Sequence, residues 1–169
     1  GHRLTTQSDT EVIAHLYEDE GVECFALLDG MFTIAIWDGR QEELILARDR
    51  LGKKPLFYAQ TSEGLSFSSE LTSLLRDKAI DRTINYQAID DYLSYLFVPH
   101  PLTIYANVKK LSPATWMIVN KNASIRTGLF WEIQVGPQND SYQSGNAIET
   151  VDELLRLAVK KRLEADVPI

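Results

Sequence analysis

The sequence is poor in cysteine, histidine and basic residues. Its single cysteine, Cys24, cannot form an internal disulfide, which predicts a reducing compartment, the cytoplasm. The three scattered histidines (His2, His15 and His100) and that cysteine show no metal-ligand spacing, so no metal site is expected. Seventeen Lys and Arg stand against 24 Asp and Glu, a net charge of −7. No basic stripe exists to neutralise a phosphate backbone, which excludes nucleic acid as the expected partner. The short clusters Lys109-Lys110 and Lys160-Lys161-Arg162 read as solvated edges. No apolar run approaches the roughly 20 residues of a membrane span, and no signal-peptide pattern opens the sequence. Six prolines and nine glycines are too few for a collagen-like or low-complexity chain. P-loop, dinucleotide-fingerprint, GxSxG and HExxH motifs are all missing.

What is there describes a globular protein. Hydrophobic residues make up 44% of the 169 residues and charged ones 24%. A chain of that length buries roughly two thirds of its unfolded surface, enough for a real core. Ser8-Asp9-Thr10-Glu11 reads as a capping box. The helix it opens carries Val12, Ile13, Leu16 and Tyr17 on one face and stops at Gly21. A short helical stretch from Val22 to Leu28 follows. Met31 to Trp37 is then a near-continuous apolar run, the pattern of a strand buried on both faces. Leu44–Ala47, Leu56–Ala59 and Leu65–Ser68 read as three more strands with short turns, which predicts antiparallel pairing. Helices are expected from Ser69 to about Arg76 and from about Tyr86 to Leu96, the latter presenting Ile89, Tyr92, Leu93 and Leu96 and ended by Pro99 and Pro101. Trp116–Val119 and Ile125–Trp131 are the last strands. Residues 135–145 have the composition of a linker. Beyond it Ala147, Ile148, Val151, Leu154, Leu155, Ala158, Val159 and Leu163 line one face of a helix with acids at its start and bases at its end.

Three features invite a functional reading. Arg48-Asp49-Arg50-Leu51-Gly52-Lys53-Lys54-Pro55 is the densest polar cluster. It suits a structural turn, with Gly52 and Pro55 setting the backbone, or an anion site built on Lys53 and Lys54. Cys24 lies between Glu23 and Phe25, a context for a buried, inert thiol rather than a nucleophile. Asp9 lies in the first turn of a capped helix, where the dipole favours its charged form. It complements that dipole, or it grips a substrate ammonium.

In order and spacing, Ser8-Asp9-Thr10-Glu11-Val12, Leu28-Asp29-Gly30-Met31-Phe32, Ala35-Ile36-Trp37-Asp38, the Arg48–Leu56 cluster and Phe67-Ser68-Ser69-Glu70 follow one family. The chain resembles the glutamine-hydrolysing asparagine synthetases, and the match continues through Pro99, Pro101, Thr103-Ile104, Lys110-Leu111 and Trp131 to Arg162-Leu163-Glu164-Ala165-Asp166-Val167-Pro168. The resemblance implies an α+β fold. It would be an incomplete N-terminal-nucleophile (αββα) sandwich followed by the first helix of an α/β ATP-pyrophosphatase-type synthetase domain. It implies residues 1–134 as the C-terminal part of a class II glutamine amidotransferase domain, 135–145 as linker and 146–169 as the start of the synthetase domain. It also implies glutamine hydrolysis supplying ammonia to aspartate activated with ATP and Mg²⁺, both bound outside this segment, in a cytoplasmic enzyme; a homodimer is the expected assembly. Only Asp9 maps onto the family's glutamine site, as the residue holding the α-ammonium. The family's nucleophile is an amino-terminal cysteine, whereas position 1 is Gly; Cys24 does not match it, and no catalytic residue is expected here. Segment 1–169 is accordingly expected to catalyse neither half-reaction. A β-lactam synthetase, a polysaccharide-biosynthesis amidotransferase and a decayed, non-catalytic binding module are the alternatives.

Overall fold

Helix α1 (Asp9–Glu20) begins where the sequence predicts. Ser8 is extended, and its hydroxyl accepts from Thr10 N at 3.2 Å, satisfying one of the amides that a first turn leaves unpaired. The other half of the expected capping box does not form. Glu11 instead takes the backbone amides of Thr5 and Thr6, at 2.8 and 2.7 Å, and both threonine hydroxyls. Those four donors outcompete the single Ser8 amide, which donates to Thr6 Oγ1. Gly21, at φ +58°, closes the helix by donating its N–H to the Tyr17 carbonyl.

The computed structural model describes residues 2–6, 8–134 and 146–163. The chain divides into two compact units, Gly1–Glu132 and Ile133–Ile169. The expected linker at 135–145 and the terminal Asp166-Val167-Pro168 lie outside the described residues.

In the first unit α1 leads through a 3₁₀ turn (Gly21–Glu23) into α2 (Cys24–Leu27). Strands β1 (Thr33–Asp38), β2 (Glu43–Arg48), β3 (Phe57–Thr61), β4 (Gly64–Ser68), β5 (Val108–Lys110), β6 (Thr115–Asn120) and β7 (Ile125–Leu129) follow, with α3 (Leu71–Leu74) and α4 (Tyr86–Tyr95) between β4 and β5. All strand pairs are antiparallel. They form two sheets, ordered β1-β2-β6-β7 and β4-β3-β5. The first four strands are therefore split between sheets rather than gathered in one, and the chain changes sheet at the Arg48–Pro55 turn. The short β5, whose Lys109-Lys110 reads as a solvated edge, pairs with β3. Lys110 is half-buried and donates Nζ to the Val98 carbonyl at 2.6 Å.

Strand alternation builds four layers. Ile45, Ala47 and Ile118 point to one side of the first sheet, where Cys24 and Phe25 of α2 and Ile13, Leu16 and Tyr17 of α1 cover them. Leu46, Met117 and Val119, their neighbours in sequence, point to the other side and meet Leu56, at the entry to β3, and Tyr58 and Leu65 of the second sheet. Ala59 and Val108 on the far side of that sheet pack on Leu74 and Ile80. Helix, sheet, sheet, helix is thus the order of the cores. It explains why β2 and β6 read as continuous apolar runs: both faces are covered. β1 has the same pattern but stands at a sheet edge, and Trp37 is 64% exposed. The expectation that β1 is buried on both faces is corrected: Ile34 and Ile36 face the core, whereas Ala35 and Trp37 on the other face are exposed because no second layer covers them.

α4 starts at Asn85, whose side chain accepts from Ala88 N, and ends at Leu96 in the left-handed conformation. Its apolar face does not enter the core: Tyr92, Leu93 and Leu96 are exposed, and only Ala88 is buried. In the second unit α5 (Ala147–Lys160) forms as expected, with an exposed apolar stripe and Arg156 paired to Asp152 one turn back.

Candidate functional site

Asp9 is exposed at the first turn of α1, and the Thr10 hydroxyl donates to its Oδ1 at 3.4 Å. Nothing among the described residues neutralises this carboxylate with a cation. Its backbone is fixed from two directions. The Ser8 hydroxyl holds the helix start, and the Glu11 carboxylate folds Thr5 and Thr6 back onto the same turn. Those donors hold the Glu11 carboxyl down at about 2, so it is fully ionised near neutrality. At the far end of the helix Tyr17 donates its hydroxyl to Asp38 at 3.3 Å, tying α1 to the end of β1. Burial, followed by the charge of Asp38, pushes the Tyr17 hydroxyl up to about 12. An exposed carboxylate on a fixed helix start can receive an ammonium group. Sequence reasoning did not find the Glu11–Thr5–Thr6 clasp, because its partners come together only when the segment before the helix doubles back.

Cys24 is not part of such a site. It is fully buried in the cluster under α1, and burial, then Glu20 and Glu23, raise its thiol to about 11. A nucleophilic thiol needs the opposite environment.

The Arg48–Pro55 cluster has the geometry of a structural turn. The Arg48 guanidinium donates to the carbonyls of Lys54, Gly52 and Leu111 at 2.6–2.7 Å. Buried Asp49 accepts from the amides of Leu51, Lys53 and Lys54. Arg50 reaches the Ala26 carbonyl and lies 6.0 Å over the Trp131 ring. Lys53 and Lys54 are exposed and contribute backbone rather than side chains to this knot.

A cavity of about 590 Å³ opens between α1 and the β1–β2 hairpin, lined by Tyr17, Glu18, Trp37, Asp38 and Arg40 among others. Asp9 does not line it. Near its Glu18 wall the structure unites two histidines that the sequence keeps apart: the His2 and His15 rings stack with centroids 4.3 Å apart. Among the described residues no helix is long and apolar enough to cross a membrane.

Comparison with known proteins agrees with this architecture. A profile of the glutamine amidotransferase domain matches residues 1–131. A putative glutamine-hydrolysing asparagine synthetase of Methanocaldococcus jannaschii is 35% identical over 97% of this chain and 32% of its own length. A glutamine-hydrolysing asparagine synthetase of Bacillus subtilis is 33% identical over 99% of this chain and 24% of its own. The chain thus spans a quarter to a third of these relatives. The solved structure of the allosteric regulatory enzyme of purine biosynthesis superposes with a TM-score of 0.54 and 21% identity, covering 78% of this chain and 24% of that one. That likeness is one of fold, the N-terminal-nucleophile sandwich that the helix–sheet–sheet–helix cores reproduce.

Proposed function

The chain belongs to the glutamine amidotransferase domain family, and from that premise we propose that it is a segment of a glutamine-dependent asparagine synthetase-like enzyme. The family match over residues 1–131 carries the reading. Residues 1–134 are read as the C-terminal part of the amidotransferase domain, 135–145 as a linker and 146–169 as the opening of the synthetase domain. The exposed apolar stripe of α5 supports that last assignment, because such a face calls for a domain to cover it. The enzyme hydrolyses glutamine and passes the ammonia to an aspartate activated with ATP. ATP and Mg²⁺ are assigned to residues outside this segment, whose sequence has no phosphate-binding glycine loop. A cytoplasmic homodimer is the proposed setting.

Asp9 is proposed to bind the α-ammonium of glutamine. The family resemblance at Ser8-Asp9-Thr10-Glu11 supports the role, as does its exposed carboxylate on a doubly anchored helix start. No catalytic residue is assigned within the segment; Cys24 is a buried thiol.

The activity is tested by pyrophosphate release from the protein carrying this segment: release is expected to need ATP and aspartate, and sustained turnover to need glutamine or ammonia as well. Release with another acceptor in place of aspartate would reassign the enzyme within its branch. For Asp9→Asn, the KM for glutamine should rise about 10- to 100-fold, the worth of one charge-assisted hydrogen bond of about 1.5–3 kcal/mol. Synthesis from free ammonia should be unchanged; an equal fall in both would make Asp9 structural.

A further inference from the structure

We propose that His2, His15 and Glu18 form a binding site for a divalent transition-metal ion of the zinc class, clamping the segment before α1 onto the helix. The three residues are remote in sequence on one side only. His15 and Glu18 stand three apart on α1, so they share a helix face. The chain ahead of α1 doubles back and lays His2 against that face, its ring stacked on His15. One ligand atom from each of the three lies within 4.8 Å of the other two.

The Nδ1 atoms of both rings turn toward Glu18. Glu18 Oε2 is 3.8 Å from His2 Nδ1 and 3.7 Å from His15 Nδ1. Tetrahedral zinc holds its ligand atoms about 3.4 Å apart, given bond lengths near 2.0–2.2 Å, so both histidine–Glu18 separations need shorten by only a few tenths of an ångström, and the two rings, whose ligand atoms lie within 4.8 Å, turn together around the ion. The outer nitrogen of each ring faces a carboxylate. His2 Nε2 is hydrogen-bonded to Asp19 at 2.9 Å, and His15 Nε2 lies 3.9 Å from Glu11. In His2 the hydrogen-bonded Asp19 carboxylate favours the proton on the outer nitrogen and leaves the inner lone pair for an ion, the usual outer support of a metal-binding histidine, while Glu11 gives His15 a nearby negative charge. His15 Nδ1, moreover, is shut off from solvent and has no hydrogen-bond partner. A buried polar atom left unsatisfied is costly, and an ion at the centre of the three groups would satisfy it. The second Glu18 oxygen, Oε1, is turned to Arg40 at 3.7 Å, which orients the carboxylate. Two imidazoles with one carboxylate suit zinc or cobalt better than the all-oxygen preferences of calcium or magnesium.

The site is independent of the proposed glutamine chemistry, and its test is binding rather than activity. Untagged protein, freed of metal with a chelator, is titrated with Co²⁺ and watched for a visible ligand-field band. Zn²⁺ binding is then measured by calorimetry and by thermal shift. One ion per chain, with a rise in Tm that grows with free Zn²⁺, is expected. His2→Gln, His15→Gln and Glu18→Gln should each weaken Zn²⁺ by more than the 10- to 100-fold typical of losing an outer partner, and Asp19→Asn by about that amount. His100→Gln should change nothing. Should His15→Gln fail to fold, the exposed His2 and Glu18 positions decide the question. Absence of a Co²⁺ band and of Zn²⁺ heat, or binding unaltered in His2→Gln and Glu18→Gln, would overturn the proposal.

Discussion

Two residues show how environment decides what a side chain can do. Cys24 is the one thiol in the sequence, and its acidic, apolar neighbours already mark it as inert. The structure buries it and supplies a cause for a raised thiol, since the thiolate would be desolvated beside Glu20 and Glu23. With the thiol raised to about 11, the folded protein should resist alkylation at mildly alkaline pH and become reactive on adding denaturant; rapid labelling of native protein would contradict this. Gly52 is the second case. Its backbone stands at φ +64°, and a Cβ there would lie 2.9 Å from Pro113 Cγ and 3.0 Å from Arg48 Cζ. Gly52→Ala is expected to cost about 1–3 kcal/mol in chemical denaturation. The sequence marks Gly52 as a turn residue, but the crowding from Pro113, far along the chain, is a tertiary fact.

At the scale of elements, the Arg48–Pro55 turn carries the chain from one sheet to the other. Arg48 makes that crossing rigid by holding three carbonyls, two within the turn and one at Leu111, next to β5. The planar guanidinium offers several donors in fixed directions, whereas a lysine ammonium is a point charge on a flexible stem. Arg48→Lys should therefore leave buried carbonyls unpaired and destabilise the protein by about 2–4 kcal/mol, read from the denaturation midpoint. Strand identity was legible for β2, β6 and the β3–β4 hairpin, because runs of apolar residues bounded by turn residues have few other solutions. β5 was missed: three residues with two lysines carry no strand signal, and the element exists because β3 offers a free edge. Capping at Ser8 was legible from spacing, while the choice of partner by Glu11 was not, since Thr5 and Thr6 compete only after the chain has folded back.

Across the whole molecule, apolar surface is unevenly covered. The three cores account for both sheets and for α1 to α3, yet Tyr92, Leu93, Leu96 and Phe97 remain exposed along and beyond α4. Contiguous patches of this kind mark surfaces that associate. The chain on its own should self-associate in sedimentation experiments and bind a hydrophobic dye. Leu93→Lys combined with Leu96→Asn, the latter compatible with the left-handed backbone at 96, should lower both without loss of helix or sheet content. Unchanged association would place the sticky surface elsewhere, for instance on the stripe of α5.

The sequence by itself determined the α+β class, most element positions, the membership of a glutamine amidotransferase lineage and the burial of Cys24. Each rests on local periodicity, turn chemistry or an ordered set of short motifs, all of which are written along the chain. Only the tertiary structure decided which strands share a sheet, that β1 is an edge, and that the apolar face of α4 lies open. It alone brought His2 onto His15 and Glu18. Those facts depend on which distant segments meet, and side-chain alternation is the same whether a strand's second face meets another layer or water.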